Sequence, residues 1–163
     1  MWLYAIALGS NRRGRHGGPA DELYAALARL EPVATSPITV SAPLGPSLRR
    51  YANAAAIVES DAAPDAMLRR LKAIERDFGR RRGRRWGARV LDLDIVLWSG
   101  GAWDSPGVIV PHLAFRARDF VLGPLAAVAP RWRDPVSGLT MRQLHARLTR
   151  RRPVPRSLAG VGP

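Results

Sequence analysis

The chain has 163 residues, a formal net charge of +13 and no cysteine. One compact domain with a real core fits this length; the missing cysteines exclude disulfides, thiolate metal sites and cysteine nucleophiles together, and no apolar run approaches the roughly 20 residues of a membrane-spanning helix. Dense positive charge suits a polyanionic partner, but Lys72 is the one lysine among 26 basic residues, a usage that a GC-rich genome would write on any surface.

Residues 3–8 are an apolar run closed by Gly9-Ser10-Asn11, which reads as a buried first strand breaking into a loop. No basic stretch precedes the run, so it does not read as a signal peptide, and a cytoplasmic location is expected. A basic, glycine-rich loop follows over residues 12–18. From Pro19 the spacing turns helical: Leu23, Leu27 and Leu30 share a face, and Asp21 and Glu22 sit in the first turn, where the helix dipole favours acidic groups. Residues 33–41 mix β-branched and polar side chains and lead into Ala42-Pro43-Leu44-Gly45-Pro46, whose prolines and glycine forbid regular structure. The apolar run 52–59 is expected to pair antiparallel with the strand before that loop.

Pro64 suits a first helical position, after which Met67, Leu68, Leu71, Ile74 and Phe78 recur at helical spacing until Gly79. Residues 90–98 form a strongly apolar run interrupted only by Asp92 and Asp94, the pattern of a central strand, and Ser99-Gly100-Gly101 turns out of it. A brief strand at 108–110, a short apolar segment at 120–128 and a last helix opened by Thr140, with Gln143 placed for a capping box, complete the pattern. The order strand, helix, strand, strand, helix, strand matches the split βαβ core of a ferredoxin-like α+β domain, an antiparallel sheet with helices packed on it. A single catalytic domain over residues 1–148 is expected, followed by a loose basic tail over 149–163.

Asp92 and Asp94 are two residues apart, so on a strand they project to one face while Leu91, Leu93 and Ile95 point to the other. Two like charges on an apolar strand repel and lose hydration, and protons or cations must compensate them. Pairing with arginines is one solution. The other is Mg²⁺, which takes hard oxygen ligands and lets phosphates and water complete its octahedron. Arg80, Arg81, Arg82, Arg84, Arg85 and Arg89 crowd a segment free of acidic residues; of these, Arg80, Arg82 and Arg89 are the favoured phosphate ligands, because a planar guanidinium fork suits phosphate oxygens. Trp86 stands beside them. A carboxylate pair next to such a fork implies a nucleoside polyphosphate.

These segments carry a family resemblance. Ala7-Leu8-Gly9-Ser10-Asn11, Pro43-Leu44-Gly45-Pro46 with Tyr51 and Asn53, Ile74-Glu75 with Gly79-Arg80, Arg85-Trp86-Gly87-Ala88-Arg89-Val90-Leu91-Asp92-Leu93-Asp94, Pro111-His112, Arg118 and Phe120-Val121-Leu122 occur in order along almost the whole chain. Together they resemble the 6-hydroxymethyl-7,8-dihydropterin pyrophosphokinases, folate-pathway enzymes that move the β,γ-diphosphate of ATP to a pterin hydroxymethyl group and leave AMP. The resemblance implies that Asp92 and Asp94 hold two Mg²⁺ ions on the phosphates of ATP, the co-substrate. It implies contacts of Arg80, Arg82, Arg89, His112 and Arg118 with ATP or the transferring group, with Trp86 on a closing loop and Glu75 and Ile95 helping to bind nucleotide. Tyr51 and Phe120 would sandwich the pterin, and Asn53, with the backbone around Ser41, Ala42 and Leu44, would bind its edge. Small-molecule partners and a monomer are expected, without membrane or nucleic-acid partners. Departures from the family pattern are Ala88 in place of a common proline and a shorter, more basic stretch after Pro46. The rival reading is an arginine-rich RNA-binding ferredoxin-like module, which lacks the aromatic strand motif on which such domains stack bases.

Overall fold

In the computed structural model, which describes residues 1–41, 50–79 and 89–150, the chain runs through β1 (Trp2–Ser10), α1 (Pro19–Leu30), β2 (Ala34–Thr35), β3 (Thr39–Ser41), β4 (Tyr51–Ser60), α2 (Pro64–Gly79), β5 (Asp92–Trp98), β6 (Trp103–Ser105), β7 (Val108–Val110), α3 (Asp119–Val128) and α4 (Met141–Thr149). β1 is antiparallel to β4 on one side and to β5 on the other, while β2 and β3 both pair with the far edge of β4. This is the expected α+β, ferredoxin-like sheet. β6 and β7 form a separate small hairpin. No helix among the described residues is long and apolar enough to cross a membrane.

Alternation along the strands divides the core into two layers. Tyr4, Ile6 and Leu8 of β1, the even-numbered residues 52–58 of β4, and Leu93 and Ile95 of β5 pack with Leu23, Ala26 and Leu30 of α1 and with Met67, Leu71, Ile74 and Phe78 of α2. The helical stripes read from the sequence are the faces that these helices bury. Ala5, Ala55 and Ile57 face the other way and pack with Val121, Leu122 and Leu125 of α3 and with Met141 and Leu144 of α4. A bulge adjusts β5: Ala5 pairs with Leu97 and Ile6 with Ile95, so Val96 is an extra residue. Val96 and Leu97 consequently both enter the second layer.

Two segments depart from the sequence expectation. The strand expected over 33–41 is split into β2 and β3 around Ser36-Pro37-Ile38. Pro37 has no N–H to give to a ladder. Ser36 repairs the break, its N–H donating to the Ala55 carbonyl at 2.8 Å and its Oγ accepting from the Ala55 N–H at 2.9 Å. The apolar segment 120–128 is a helix, although Pro124 lies inside it; burial of Val121, Leu122 and Leu125 against the sheet outweighs the poor helix former. The last helix starts as expected, with Thr140 and Gln143 forming a reciprocal capping box.

The second layer also rests on an ion pair that the sequence reading did not contain. Asp134 is fully buried and accepts from Arg116 Nε at 2.6 Å and Nη2 at 2.7 Å, from Ser137 Oγ at 2.6 Å and from the Val136 N–H at 3.1 Å. Burial alone would push this carboxyl up; the hydrogen bonds from Arg116, Ser137 and Val136 reverse the effect and hold it well below the ordinary carboxylate range. A depressed folded value adds stability that is fully present above the unfolded value of about 3.9 and fades as pH falls below it. Asp134→Ala should cost about 2–4 kcal/mol at pH 7, since it leaves the partly buried Arg116 without its partner. In urea titrations the gap between parent and variant should narrow as pH is lowered from 6 towards 2.5, without vanishing there; a gap independent of pH would contradict the ion pair's contribution.

Candidate functional site

The second layer covers only part of its face of the sheet. Going across the strands, Asn53 of β4, Gly9 of β1 and Asp92 of β5 are in register, and the next row is Ala55, Ala7 and Asp94. These side chains share one face because their neighbours, Ala52, Ala54, Leu8 and Leu93, are in the core on the other. Ala55 is gathered under α3, whereas Asp92 is exposed and Gly9 half-buried; Asn53 is itself buried. This end of the sheet sets glycine and alanine between a buried amide on one side and two carboxylates on the other, and it is open at Asp92. Gly9 matters here, since a Cβ on it would stand 3.4 Å from Asn53 Oδ1 and begin to cover the amide.

Tyr51 continues the Asn53 side of this face. It lies across from Ser41, whose Oγ reaches the Tyr51 carbonyl at 3.4 Å, as Asn53 lies across from Thr39. Tyr51 is 40% exposed and Phe120, in the first turn of α3, 52% exposed. Large aromatic side chains left this open are available to an aromatic ligand. The Arg118 guanidinium lies 5.8 Å from the Phe120 ring centroid, so charge and stacking surface sit together at the start of α3.

On the carboxylate side, Glu75 of α2 is buried, and it binds the free edge of β5: Oε1 accepts from the Leu93 N–H at 2.8 Å, and Lys72 Nζ lies 3.0 Å from Oε2. Arg89 Nη1 stands 3.6 Å from Glu75 and 4.0 Å from Asp92. The Asp92 carboxyl is raised above its ordinary value, first by partial desolvation and then by repulsion from Glu75 and Asp94; Arg89 and Lys72 pull it down without cancelling the rise. His112 follows a cis Val110–Pro111 bond and is pinned to β5 by its N–H, which donates to the Val96 carbonyl at 3.0 Å. Its Nδ1 accepts from the Ala114 N–H at 3.1 Å. That bond places the proton of the neutral ring on Nε2, the nitrogen left to donate elsewhere.

Of the site residues expected from the sequence, register brings Ser41, Tyr51 and Asn53 together on β3 and β4, and Arg89 reaches Asp92, with Asp94 two residues further along β5; Arg118 and Phe120 pair at the start of α3, and His112 is held beside Val96 of β5. Ile95 is 4% exposed and its side chain belongs to the core with α1 and α2, as alternation from Asp94 requires. Glu75 is already engaged by Lys72 and Leu93, so it shapes β5 instead of presenting a free carboxylate. Ala42, Leu44, Arg80, Arg82 and Trp86 lie outside the described residues, as does the tail beyond Arg150.

Asp92 and Asp94 fit a magnesium ion that is shared with a ligand. Among the described residues no group of three or more acidic or histidine side chains is placed to hold a metal, so phosphate or water oxygens must complete the shell. The Asp92 carboxyl is raised first by burial and then by repulsion from Glu75 and Asp94, a strain that a bound cation would relieve. A carboxyl raised by folding weakens the folded state as pH rises through its titration. Asp92→Asn should therefore leave the metal-free protein as stable as the parent or slightly more stable at pH 7–8, with the difference vanishing below about pH 4; a marked loss of thermal stability at pH 8 would contradict the strained pair.

Comparison with known proteins gives the family of the chain. Residues 5–130 match the family model described as 7,8-dihydro-6-hydroxymethylpterin-pyrophosphokinase. The 2-amino-4-hydroxy-6-hydroxymethyldihydropteridine pyrophosphokinase of Pseudomonas aeruginosa is 43% identical over 137 residues, covering 80% of this chain and 82% of the relative. Its counterpart in Haemophilus influenzae is 39% identical over 131 residues, 76% of this chain and 79% of the relative. A crystal structure of Plasmodium falciparum HPPK-DHPS with pteroate superposes with a TM-score of 0.68 at 13% identity, covering 90% of this chain and 44% of that one. That likeness supports the fold alone, and the present chain spans less than half of the Plasmodium protein.

Proposed function

The chain belongs to the 7,8-dihydro-6-hydroxymethylpterin-pyrophosphokinase family, and from that premise we propose that ATP and the hydroxymethyl dihydropterin meet on the open sheet end, with Asp92 and Asp94 carrying two Mg²⁺ ions on the phosphate chain. A pterin pyrophosphokinase of folate biosynthesis transfers the β,γ-diphosphate of ATP to the hydroxymethyl oxygen. A bond forms between that oxygen and the β-phosphorus, the bond from the β-phosphorus to the bridging oxygen breaks, AMP leaves with that oxygen, and the hydroxyl proton passes to solvent. The family assignment leaves the RNA-binding alternative without support.

The observation that carries the site reading is the register that sets Asn53, Gly9 and Asp92 in one row across the sheet. A flat heterocycle held at Asn53 has its substituent directed over the small floor towards the carboxylates. Tyr51 and Phe120 supply two stacking faces, and Asn53 with the backbone from Ser41 to Leu44 supplies the polar edge. Bound magnesium would neutralise and align the phosphate oxygens. Arg80, Arg82 and Arg89 take up charge on the transferring group, the Nε2 proton of His112 and the Arg118 guanidinium donate to phosphate oxygens, and Trp86 helps to exclude water. Glu75 contributes by holding the free edge of β5 in place, and Ile95 through its backbone. Catalysis on this reading is positioning and electrostatics, carried out by a cytoplasmic monomer in a single catalytic domain over residues 1–148.

AMP formation from ATP should require both magnesium and the hydroxymethyl pterin. Asp92→Ala and Asp94→Ala should each lower it by about a thousandfold or more with circular dichroism unchanged, and full activity in both would refute the metal assignment. Tyr51→Ala and Phe120→Ala should raise the KM for the pterin about tenfold while the KM for ATP stays near that of the parent; the reverse pattern would move the pterin to another part of the face.

A further inference from the structure

Glu22 is fully buried and has no part in the chemistry above. One residue occupies both of its oxygens: Oε1 accepts from the His16 backbone N–H at 2.8 Å, and Oε2 lies 2.8 Å from His16 Nδ1. The histidine ring rests on Phe78 of α2, with ring centroids 4.8 Å apart, and neighbouring Arg15 donates to the Asp77 carbonyl at 2.7 Å. The basic loop between β1 and α1 is therefore tied down onto the last turn of α2. A bridge between Gly14 and Gly17 closes it on itself.

Gly14 stands where this loop meets the approach to β5. A Cβ at Gly14 would collide with Glu22 Oε1 and lie 2.7 Å from Val90 Cγ1. From the other side, a Cβ at Gly79 would lie 3.2 Å from Val90 Cβ and Cγ2. Val90 is thus wedged between two glycines that admit no side chain without movement. Arg89 precedes it and Asp92 lies two residues beyond it.

We propose that Glu22 is a positioning residue for the phosphate end of the site: by clamping His16 it holds Gly14 against Val90, and the seated Val90 fixes the entry to β5 from which Arg89 and Asp92 project. This rests on the assignment of Arg89 and Asp92 to the phosphate chain. It gives the basic loop a mechanical role that needs no contact between its arginines and ATP. The pterin side of the site, at Tyr51, Asn53 and Phe120, has no part in this clamp.

The test is steady-state kinetics with hydrogen exchange on the full chain, comparing Glu22→Ala, Glu22→Gln, His16→Ala and Asp92→Ala. Glu22→Ala should lower kcat about tenfold or more, as a small misplacement of charged groups does, and raise the magnesium concentration needed for half-maximal rate. Its KM for the pterin should stay within about twofold of the parent, because the displaced groups touch only the phosphates. Exchange over residues 90–93 should quicken. Glu22→Gln keeps an acceptor for the His16 N–H and should restore most of the rate. If Glu22→Ala does not fold, His16→Ala carries the same test, since that side chain is partly exposed. Parent-like kcat and magnesium dependence in the clamp variants, beside an inactive Asp92→Ala, would overturn the positioning role and spare the site assignment. An active Asp92→Ala would overturn both.

Discussion

Glu75, Asp92 and Asp94 bring three negative charges to one end of a single edge strand, where Lys72 and Arg89 face them without full compensation. Much of the local architecture answers this repulsion. Glu75 is settled by giving its carboxylate to Lys72 and to the Leu93 N–H, which would otherwise be an orphan on the free edge of β5. Asp92 and Asp94 are directed to the opposite side of the strand from Leu93, onto the face they share with Gly9 and Ala7. The strand is stable enough to carry them because Leu91, Leu93 and Ile95 are anchored in the core beneath. On the proposed reading, a cation arriving with phosphate oxygens would relieve the charge that the fold leaves.

The rest of the face is shaped by what has been withheld from it. Alanine and glycine at positions 7, 9 and 55 keep this face low between Asn53 and the carboxylates, and α3 packs over Ala55 and Ile57. The boundary is held by the segment from Pro111 to Phe120, which has little regular structure of its own. It is fixed by His112 on Val96, by buried Phe115 and by the Arg116–Asp134 pair. The ion pair of the second layer thereby supports the placement of His112, Arg118 and Phe120, although neither of its members faces the open end in register.

The sequence was readable where one strong periodicity acted alone. The i, i+2 spacing of Asp92 and Asp94 in an apolar strand is enough to place both carboxylates on one face, and Met67, Leu71, Ile74 and Phe78 suffice to mark the buried stripe of α2. The same alternation, applied to Ile95, places its side chain in the core; the family resemblance, by itself, suggested a nucleotide contact there. α3 escaped because Gly123-Pro124 weakens the local helical signal and its stability comes from packing. The clamp of His16 on Glu22 and the pairing of Arg116 with Asp134 escaped for a different reason: ion pairs between separate elements leave no period in the sequence. An acidic residue in a first helical turn reads as a dipole partner whether it ends in solvent, as Asp21 does, or fully buried, as Glu22 does.

The central claim is that Asp92 and Asp94 bind the phosphate chain through magnesium, and calorimetric titration with α,β-methylene ATP, whose cleavable bridge is blocked, isolates that step from turnover. Binding to the parent should strengthen by about a hundredfold or more when Mg²⁺ is added, and Asp92→Asn/Asp94→Asn should bind the analogue weakly and equally with and without the ion. Magnesium-dependent tightening that survives in the double variant would contradict the account.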